Sequence, residues 1–486
     1  MTHFFNTAIR NLFDFSYFYA ILHRKIYYGL PPMKSKKIIQ DFTQGPLLKP
    51  MVLFAIPFML SNALQVLYAL ADMAVVGCFV GSHGLSAVSI ASQAFMFIVM
   101  LCLGFSTGGQ VYISQLIGSG RHDRLNNAIG TLFSVILIGG AVMTILGLLF
   151  SRQFLLLLKT PPEAFDDAMD YMLISCGGVI FAYGYNMVSA VLRGLGDSKH
   201  PFLFIAIASV LNVILDLLFV AVLKMGVAGA ALATIMGQGI SFLYAIFFLY
   251  GRKKEFGFDF KLRSLIPDWS VVRGLLPLGI PFAIQSCAIN ISMLYVNMLV
   301  NTAGYHAAAT FGVGLRLDDL VNKITQGMTF AVASVVAQNM GAGNYDRVRS
   351  GVKISWACCT GFFVIYTICL LWIPQKMFGL FTKDPAVMEL VPTFVAAILW
   401  QFPALAIMKG TQGFIQGVGN ATFSLVTALL DGFAFRIVLS WLFGIYYGMG
   451  LYGFILGFSL ATYVTAIPGL YYYLFCKWHK RKLVTE

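Results

Sequence analysis

The stretch Leu67-Tyr68-Ala69-Leu70-Ala71-Asp72-Met73-Ala74-Val75-Val76-Gly77 decides how this chain folds. It lies in an apolar run in which Asp72 is the only formally charged side chain between Lys49 and Arg121. A run of that length exceeds the roughly 20 residues that cross a bilayer as a helix. A carboxylate inside such a segment costs at least about 2.5–3.5 kcal/mol on insertion scales, so it faces a bundle interior or a watery cavity. The functional expectation is a residue that binds a proton or a metal ion. The structural alternative is a carboxylate near a helix end, or a neutral hydrogen-bonding group.

The rest of the chain shares this character. Of 486 residues, 59% are hydrophobic and 11% charged, and the mean hydropathy is +0.80. Soluble domains carry about 25% charged residues. In lipid, every backbone polar group must be satisfied internally, which leaves helices or a closed barrel. The apolar runs here are continuous and do not alternate, so the expected fold is an all-α integral membrane protein. Twelve spans are expected at 51–78, 85–117, 128–150, 168–193, 201–223, 227–250, 274–301, 306–340, 353–375, 387–415, 421–446 and 451–476. The second and eighth are long enough to tilt or bend, with Gly104 and Gly108-Gly109 as bend points in the second. Pro57 and Pro281 each remove a mid-span donor and should kink the first and seventh spans.

The net charge of +13 suggests nucleic acid at first sight. With these spans, however, 24 of the 33 Lys and Arg fall on one side of the membrane and five on the other. The positive-inside rule makes that side cytoplasmic. The charge therefore reports topology in a cell membrane, with both termini and the 251–273 loop inside. The eight cysteines lie within or at the ends of spans and read as packing residues. No Walker-type phosphate loop, zinc-protease motif or nucleophile–base arrangement appears, which argues against an ATP motor and against an enzyme.

The spans occur in two copies. Ala55-Ile56-Pro57-Phe58 matches Gly279-Ile280-Pro281-Phe282. Gln115-x-x-Gly118-x-Gly120-x-x-Asp123-Arg124 matches Gln338-x-x-Gly341-x-Gly343-x-x-Asp346-Arg347. Gly194-x-Gly196 matches Gly417-x-Gly419, and Met225-Gly226-x-x-Gly229 matches Met449-Gly450-x-x-Gly453. The four matches keep one order and nearly one offset, so six spans are duplicated in parallel orientation. The expected organisation is a cytoplasmic extension (1–50), an N-terminal six-helix lobe (51–250), a linker (251–273), a C-terminal lobe (274–476) and a basic tail (477–486). Residues 1–32 read as a mis-assigned start ahead of Met33, or as an interfacial amphipathic helix.

A second isolated acid, Asp216, is the only formal charge between Lys199 and Lys224. Asn212 and Asp216 share a helix face, as do Tyr68 and Asp72, with Gln65 on the same side and Thr234 available from the sixth span. These oxygens suit a hard cation such as Na+. Two close carboxylates equally suit a retained proton. The counterparts of Asp72 and Asp216 in the second copy are Tyr295 or Val296, and Leu439, so the acid pair belongs to one half alone. The C-terminal half holds its own charges. Arg316, Asp318, Asp319, Lys323, Lys409, Asp431 and Arg436 are read either as mutually neutralising pairs or as substrate contacts.

Taken together, these residues resemble the MATE (multidrug and toxic compound extrusion) transporters from about Asp41 to the C-terminus. The carrying motifs are Thr43-x-Gly45-Pro46-Leu47, Ile56-Pro57, Tyr68-x-x-x-Asp72, Arg193-Gly194-x-Gly196-Asp197, Leu211-Asn212-Val213-x-Leu215-Asp216, Gly226-Val227-x-Gly229-Ala230-Ala231-x-Ala233-Thr234 and Gln338-x-x-Gly341-Ala342-Gly343. The DinF-type branch looks nearest. That resemblance implies a cation-coupling site at Asp72, Asp216, Asn212, Tyr68, Gln65 and Thr234, with Na+ at Asp72, Asp216 and Asn212 as one option. It adds Asn186 and Tyr171 to a polar network, with Arg316 and Asp318 as further cavity residues, and makes Pro57 a hinge. Ser189 departs from the pattern where relatives carry Asn, and Gln401-Phe402-Pro403-Ala404 lacks the tenth-span acid of NorM-type members. The implied activity is export of amphipathic organic cations in exchange for H+ or Na+. It would proceed by alternating access in a bacterial inner membrane, in a monomer among lipid, without cofactor, ATP or nucleic acid. A flippase for lipid-linked saccharides is the alternative within transport, and a lipid-acting membrane enzyme the alternative outside it.

Overall fold

The computed structural model describes residues 40–485, and the readings of residues 1–39 lie outside the described residues. The described chain is helical throughout its apolar runs. The helices are α1 (Leu48–Phe79), α2 (Ser82–Gly118), α3 (Leu125–Leu157), α4 (Pro162–Gly177), α5 (Val179–Gly194), α6 (Lys199–Asp216) and α7 (Gly226–Gly251). The second set is α8 (Trp269–Asn301), α9 (Tyr305–Gly341), α10 (Tyr345–Trp372), α11 (Pro385–Ile398), α12 (Gln401–Gly417), α13 (Ala421–Tyr446) and α14 (Gly450–Phe475). Among the described residues, ten helices are long and apolar enough to cross a membrane, or up to twelve spans if α4–α5 and α11–α12 each cross as one bent span. The wide belt of exposed Leu, Ile, Phe and Trp on α3, α10 and α13 is what lipid-facing surfaces require.

Two of the repeat motifs, Gln-x-x-Gly-x-Gly and Gly-x-Gly, turn out to be chain reversals. Gly120 and Gly343 have φ of 70° and 72°, and Gly196 and Gly419 have φ of 87° and 79°. In each copy the second glycine of the motif takes the left-handed conformation that ends a helix and turns the chain, which L side chains adopt rarely.

The breaks fall at places the proline reading did not indicate. Pro57 and Pro281 sit inside helices that continue as single elements, α1 and α8. The sharp bends, 49° and 51°, lie at α4–α5 and α11–α12, which occupy matching places in the two copies. The first turns at Gly178, where an added Cβ would lie 2.3 Å from the Ile235 side chain of α7. The second turns beside Pro403, whose missing N–H cannot bond the carbonyl four residues back. At Gly104, α2 runs without a break, and a Cβ there would stand 2.4 Å from the Ala283 backbone nitrogen of α8. Its counterpart Gly327 in α9 would clash at 2.5 Å with the Met59 backbone nitrogen of α1. These glycines let two helix pairs cross in near-backbone contact, a packing device that bilayer helices favour over apolar attraction.

The first helix of each copy engages both halves. The early turns of α1, from Met51 to Phe58, are packed in the apolar core of the second half, beside Met328, Val332 and Val336 of α9. The later turns of α1 lie against α6 in the first half. In the same way α8 packs on α2 early and on α13 later.

Candidate ion-coupling site

Four helices carry the first-half polar cluster. α1 supplies Tyr68 and Asp72, α4 supplies Tyr171, α6 supplies Asn212 and Asp216, and α7 supplies Thr234. Asp72 and Asp216 are 8% and 0% exposed, and Asn212 is 3% exposed. The carboxylates approach within hydrogen-bonding reach of each other although they lie 144 positions apart in sequence. With its amide oriented to suit its neighbours, Asn212 donates to Asp216 Oδ2 at 3.3 Å. Its oxygen accepts from Thr234 Oγ1 at 3.2 Å and from the Thr234 backbone N–H at 3.3 Å. The Tyr171 phenol lies by the Thr234 hydroxyl, and the Tyr68 phenol neighbours Asp72, with Tyr185 of α5 beyond it.

What this cluster lacks defines its chemistry. Asp72 Oδ1 and Asp216 Oδ1 are buried without a hydrogen-bond partner, and no Lys, Arg or His side chain lies within 4 Å of either acid among the described residues. Two buried carboxylates without counter-charge are too costly to persist ionised together. The arrangement can take up a proton between the two carboxyls. It can equally take a hard cation on the unpartnered oxygens, with amide, hydroxyl and phenol oxygens completing the shell. No group of three or more His, Cys, Asp or Glu able to hold a metal occurs among the described residues.

The outer residues of the expected network are less engaged. Gln65 is half-buried and makes no side-chain hydrogen bond among the described residues. Asn186 donates to Ala182 O of its own helix at 2.9 Å. The Ser189 hydroxyl is buried without a partner. Tyr185, which borders Tyr68, carried no sequence signal beyond its place in the polar fourth span.

In the second half the charges sort into distinct cases. Asp431 and Arg436 form a buried pair with Nη2–Oδ1 and Nη2–Oδ2 distances of 3.0 Å, with Thr465 Oγ1 donating to Asp431 Oδ2 at 3.3 Å. The segment Leu430–Ile437 is a π-helix, and its wider turn puts residues five apart on one face, which seats this pair. Asp319 and Lys323 pair at 3.7 Å as their spacing implied. Asp318 accepts from Asn322 Nδ2 at 2.9 Å, and Lys409 Nζ donates to the Asn322 carbonyl at 3.4 Å. Arg316 departs from the expected pairing. Among the described residues it has no carboxylate within 4 Å, and its guanidinium instead reaches Met73 Sδ at 3.9 Å. The helix spacing that offered it Asp318 and Asp319 points Asp318 into the bundle and Asp319 toward Lys323.

A further polar cluster joins the two halves at the end of the bundle that carries residues 40–45 and 481–485. Gln110 Nε2 of α2 donates to Phe330 O and Ser334 Oγ of α9, both at 2.9 Å, and Arg193 Nε donates to Gln110 Oε1 at 2.8 Å. Gln338 Oε1 accepts from Phe42 N at 3.0 Å, and Gln115 Oε1 accepts from Val484 N at 2.9 Å. The duplicated glutamines of the repeat motif thus bind the two ends of the described chain in equivalent ways.

Known proteins share this architecture. The MatE family model matches residues 57–218 and 281–442, two stretches with the spacing of the sequence repeat. Probable multidrug resistance protein YpnP of Bacillus subtilis is 32% identical over 448 residues, covering 92% of this chain and 99% of that protein. Probable multidrug resistance protein NorM of Thermotoga maritima is 27% identical, covering 90% and 94%. Among solved structures, an outward-facing multidrug resistance MATE transporter superposes with a TM-score of 0.85 at 23% identity, covering 93% of this chain and all of that one. A MATE crystal structure in the bent conformation gives 0.84 at 24% identity, covering 90% and 97%. With two copies of the family model in register and a near full-length relative, the chain belongs to the MATE family of multi-pass membrane transporters.

Proposed function

We propose that this protein exports amphipathic, chiefly cationic, organic compounds in exchange for H+ or Na+, with Asp72 and Asp216 as the coupling pair and a DinF-type assignment within the family. The observation that carries this reading is the pair of buried carboxylates with unpartnered oxygens and no basic side chain beside them. Such a site is stable when a positive charge or a proton is supplied from outside, which is what coupling requires. Asn212 and Thr234 orient Asp216, Tyr68 and Tyr171 close the oxygen shell, and Pro57 serves as the hinge of α1. Gln65, Asn186 and Asp318 belong to the surrounding network. The names of the relatives, multidrug resistance and multidrug export proteins, support drug-like substrates, and the excess of basic residues on the loops at one end supports placing both termini in the cytoplasm.

Ion occupancy can shift a two-state equilibrium only through its differential affinity for the two states. Here α1 spans both halves, so a change of charge at Asp72 is transmitted along one helix to the packing of Met51–Phe58 on α9. Everted membrane vesicles supplied from outside with a fluorescent cationic dye test the proposal. Dye accumulation driven by an imposed H+ or Na+ gradient is expected, and dye movement that requires ATP and ignores both gradients would overturn it.

A further inference from the structure

Arg316 is an exposed cation within the membrane-length helix α9. From Tyr305 it lies eleven residues into α9, about 16 Å along the axis at 1.5 Å per residue. An unpaired guanidinium at that depth is tolerated where it meets water in a cavity and not where it meets lipid. Its neighbours identify where it sits. Arg316, Asp319 and Lys323 follow one face of α9, and this face borders α1: Asn62 Nδ2 of α1 donates to Lys323 O at 2.7 Å, and Arg316 Nη1 approaches Met73 Sδ. The charged face therefore lines the seam between the halves, and Met73 is the residue next to Asp72.

The charges along this face do not balance. Asp319 and Lys323 neutralise each other at 3.7 Å. Asp318 is turned inward to Asn322, and Lys409 is buried behind the same asparagine. Arg316 is left as a net positive charge, with a planar fork of donors suited to bidentate contact with a carboxylate or phosphate. Beside it lies a thioether, which accommodates apolar groups of varied shape.

We propose that Arg316 docks the acidic group of those transported molecules that carry one, and so sets the preference for a free carboxylate over its ester. This rests on the export reading and extends it. The contact divides the labour of the seam: Asp72 and Asp216 exchange the coupling ion, and Arg316 one helix away holds the substrate's negative group without competing for that ion.

The test compares a fluorescent quinolone carboxylate with its methyl ester, and ethidium as a permanent cation. Equilibrium binding to purified wild-type protein, R316Q and R316K is read by fluorescence, alongside efflux from proteoliposomes. R316Q should weaken carboxylate binding and raise its transport KM at least tenfold, with ester and ethidium changed less than twofold, and R316K should recover part of the loss. Equal losses for all three compounds, or no change for the carboxylate, would overturn the proposal. The same split is expected in vesicles with and without phosphatidylglycerol, and a split confined to vesicles with that anionic lipid would assign Arg316 to a lipid headgroup and overturn it too. Because binding is measured apart from transport, an absence of gradient-driven efflux in the wild type counts against the export reading while the binding series still judges Arg316.

Discussion

Asp431 shows what a buried carboxylate in this bundle needs, and Asp72 and Asp216 are defined by its absence. Asp431 is held by a guanidinium and a hydroxyl. Replacing it with Asn leaves Arg436 buried opposite a neutral amide. Removing one partner of a buried pair costs about 3–5 kcal/mol. D431N should therefore lower the thermal midpoint of the detergent-solubilised protein clearly, and D431N/R436M should recover most of the loss. Equal midpoints for D431N and wild type would mean the pair is not seated as described. D72N and D216N carry the opposite expectation, unchanged or raised midpoints, because each removes a charge that lacks a partner. Outside the spans, Asp268 caps α8 by accepting from Ser270 N at 2.9 Å and Ser270 Oγ at 2.7 Å. These bonds hold its carboxyl below the usual range. A depressed carboxylate contributes stability above its unfolded pKa and loses it as pH falls through its native one. The D268A penalty, about 1 kcal/mol for a lost cap, should thus be constant from pH 7 to 5 and shrink below about pH 4, measured as midpoint differences across that range. At this scale the sequence was informative in one direction. Isolation in apolar runs marked Asp72 and Asp216 individually. Their meeting depends on how α1 leans on α6, a tertiary fact that periodicity within either helix does not contain. The two readings of Arg316, paired charge or substrate contact, stayed open for the same reason: helix spacing names which residues share a face but not which neighbour that face meets.

At the scale of elements, spans were legible because lipid enforces length and continuity, and each expected span coincides with a helix or bent pair to within a few residues at most ends. Irregularities were less legible. Proline inside α1 and α8 was absorbed without breaking either element, whereas the true bends rest on Gly178 packed against Ile235 and on Pro403, whose effects depend on the neighbours that hold the bend open. The Gln-x-x-Gly-x-Gly motif, which the sequence offered as a mark of duplication, also brings the two halves together. Gly118 and Gly341 face each other across the halves, where an added Cβ would stand 1.8 Å from Gln338 O and 2.4 Å from Gln115 O respectively. Even G118A or G341A must therefore push α2 and α9 apart at that end. Each is expected to reduce gradient-driven efflux at least tenfold while the protein still inserts. Each should also speed labelling of a cysteine placed at buried Ala337 by a membrane-impermeant maleimide, in a cysteine-free background. Slow labelling with wild-type efflux would show that the close approach is not needed for closure.

Across the whole molecule, two copies of one six-span unit meet along α1, α2, α8 and α9, and both ends of the described chain are pinned at that seam by Gln338 and Gln115. These bonds tie the two halves together at that end of the seam. The asymmetry between copies is equally telling: packing glycines and bends were duplicated, while the acid pair occurs in the first half alone, so the two copies share their architecture and differ in their buried acids. The most direct test of the central claim is ion-coupled efflux of a cationic dye from proteoliposomes under an imposed pH gradient and, separately, an imposed Na+ gradient, comparing wild type with D72N and D216N at equal reconstitution. The account predicts that one gradient drives wild-type efflux and that both variants fall to the background of protein-free vesicles. Full gradient-driven efflux by D72N would contradict it.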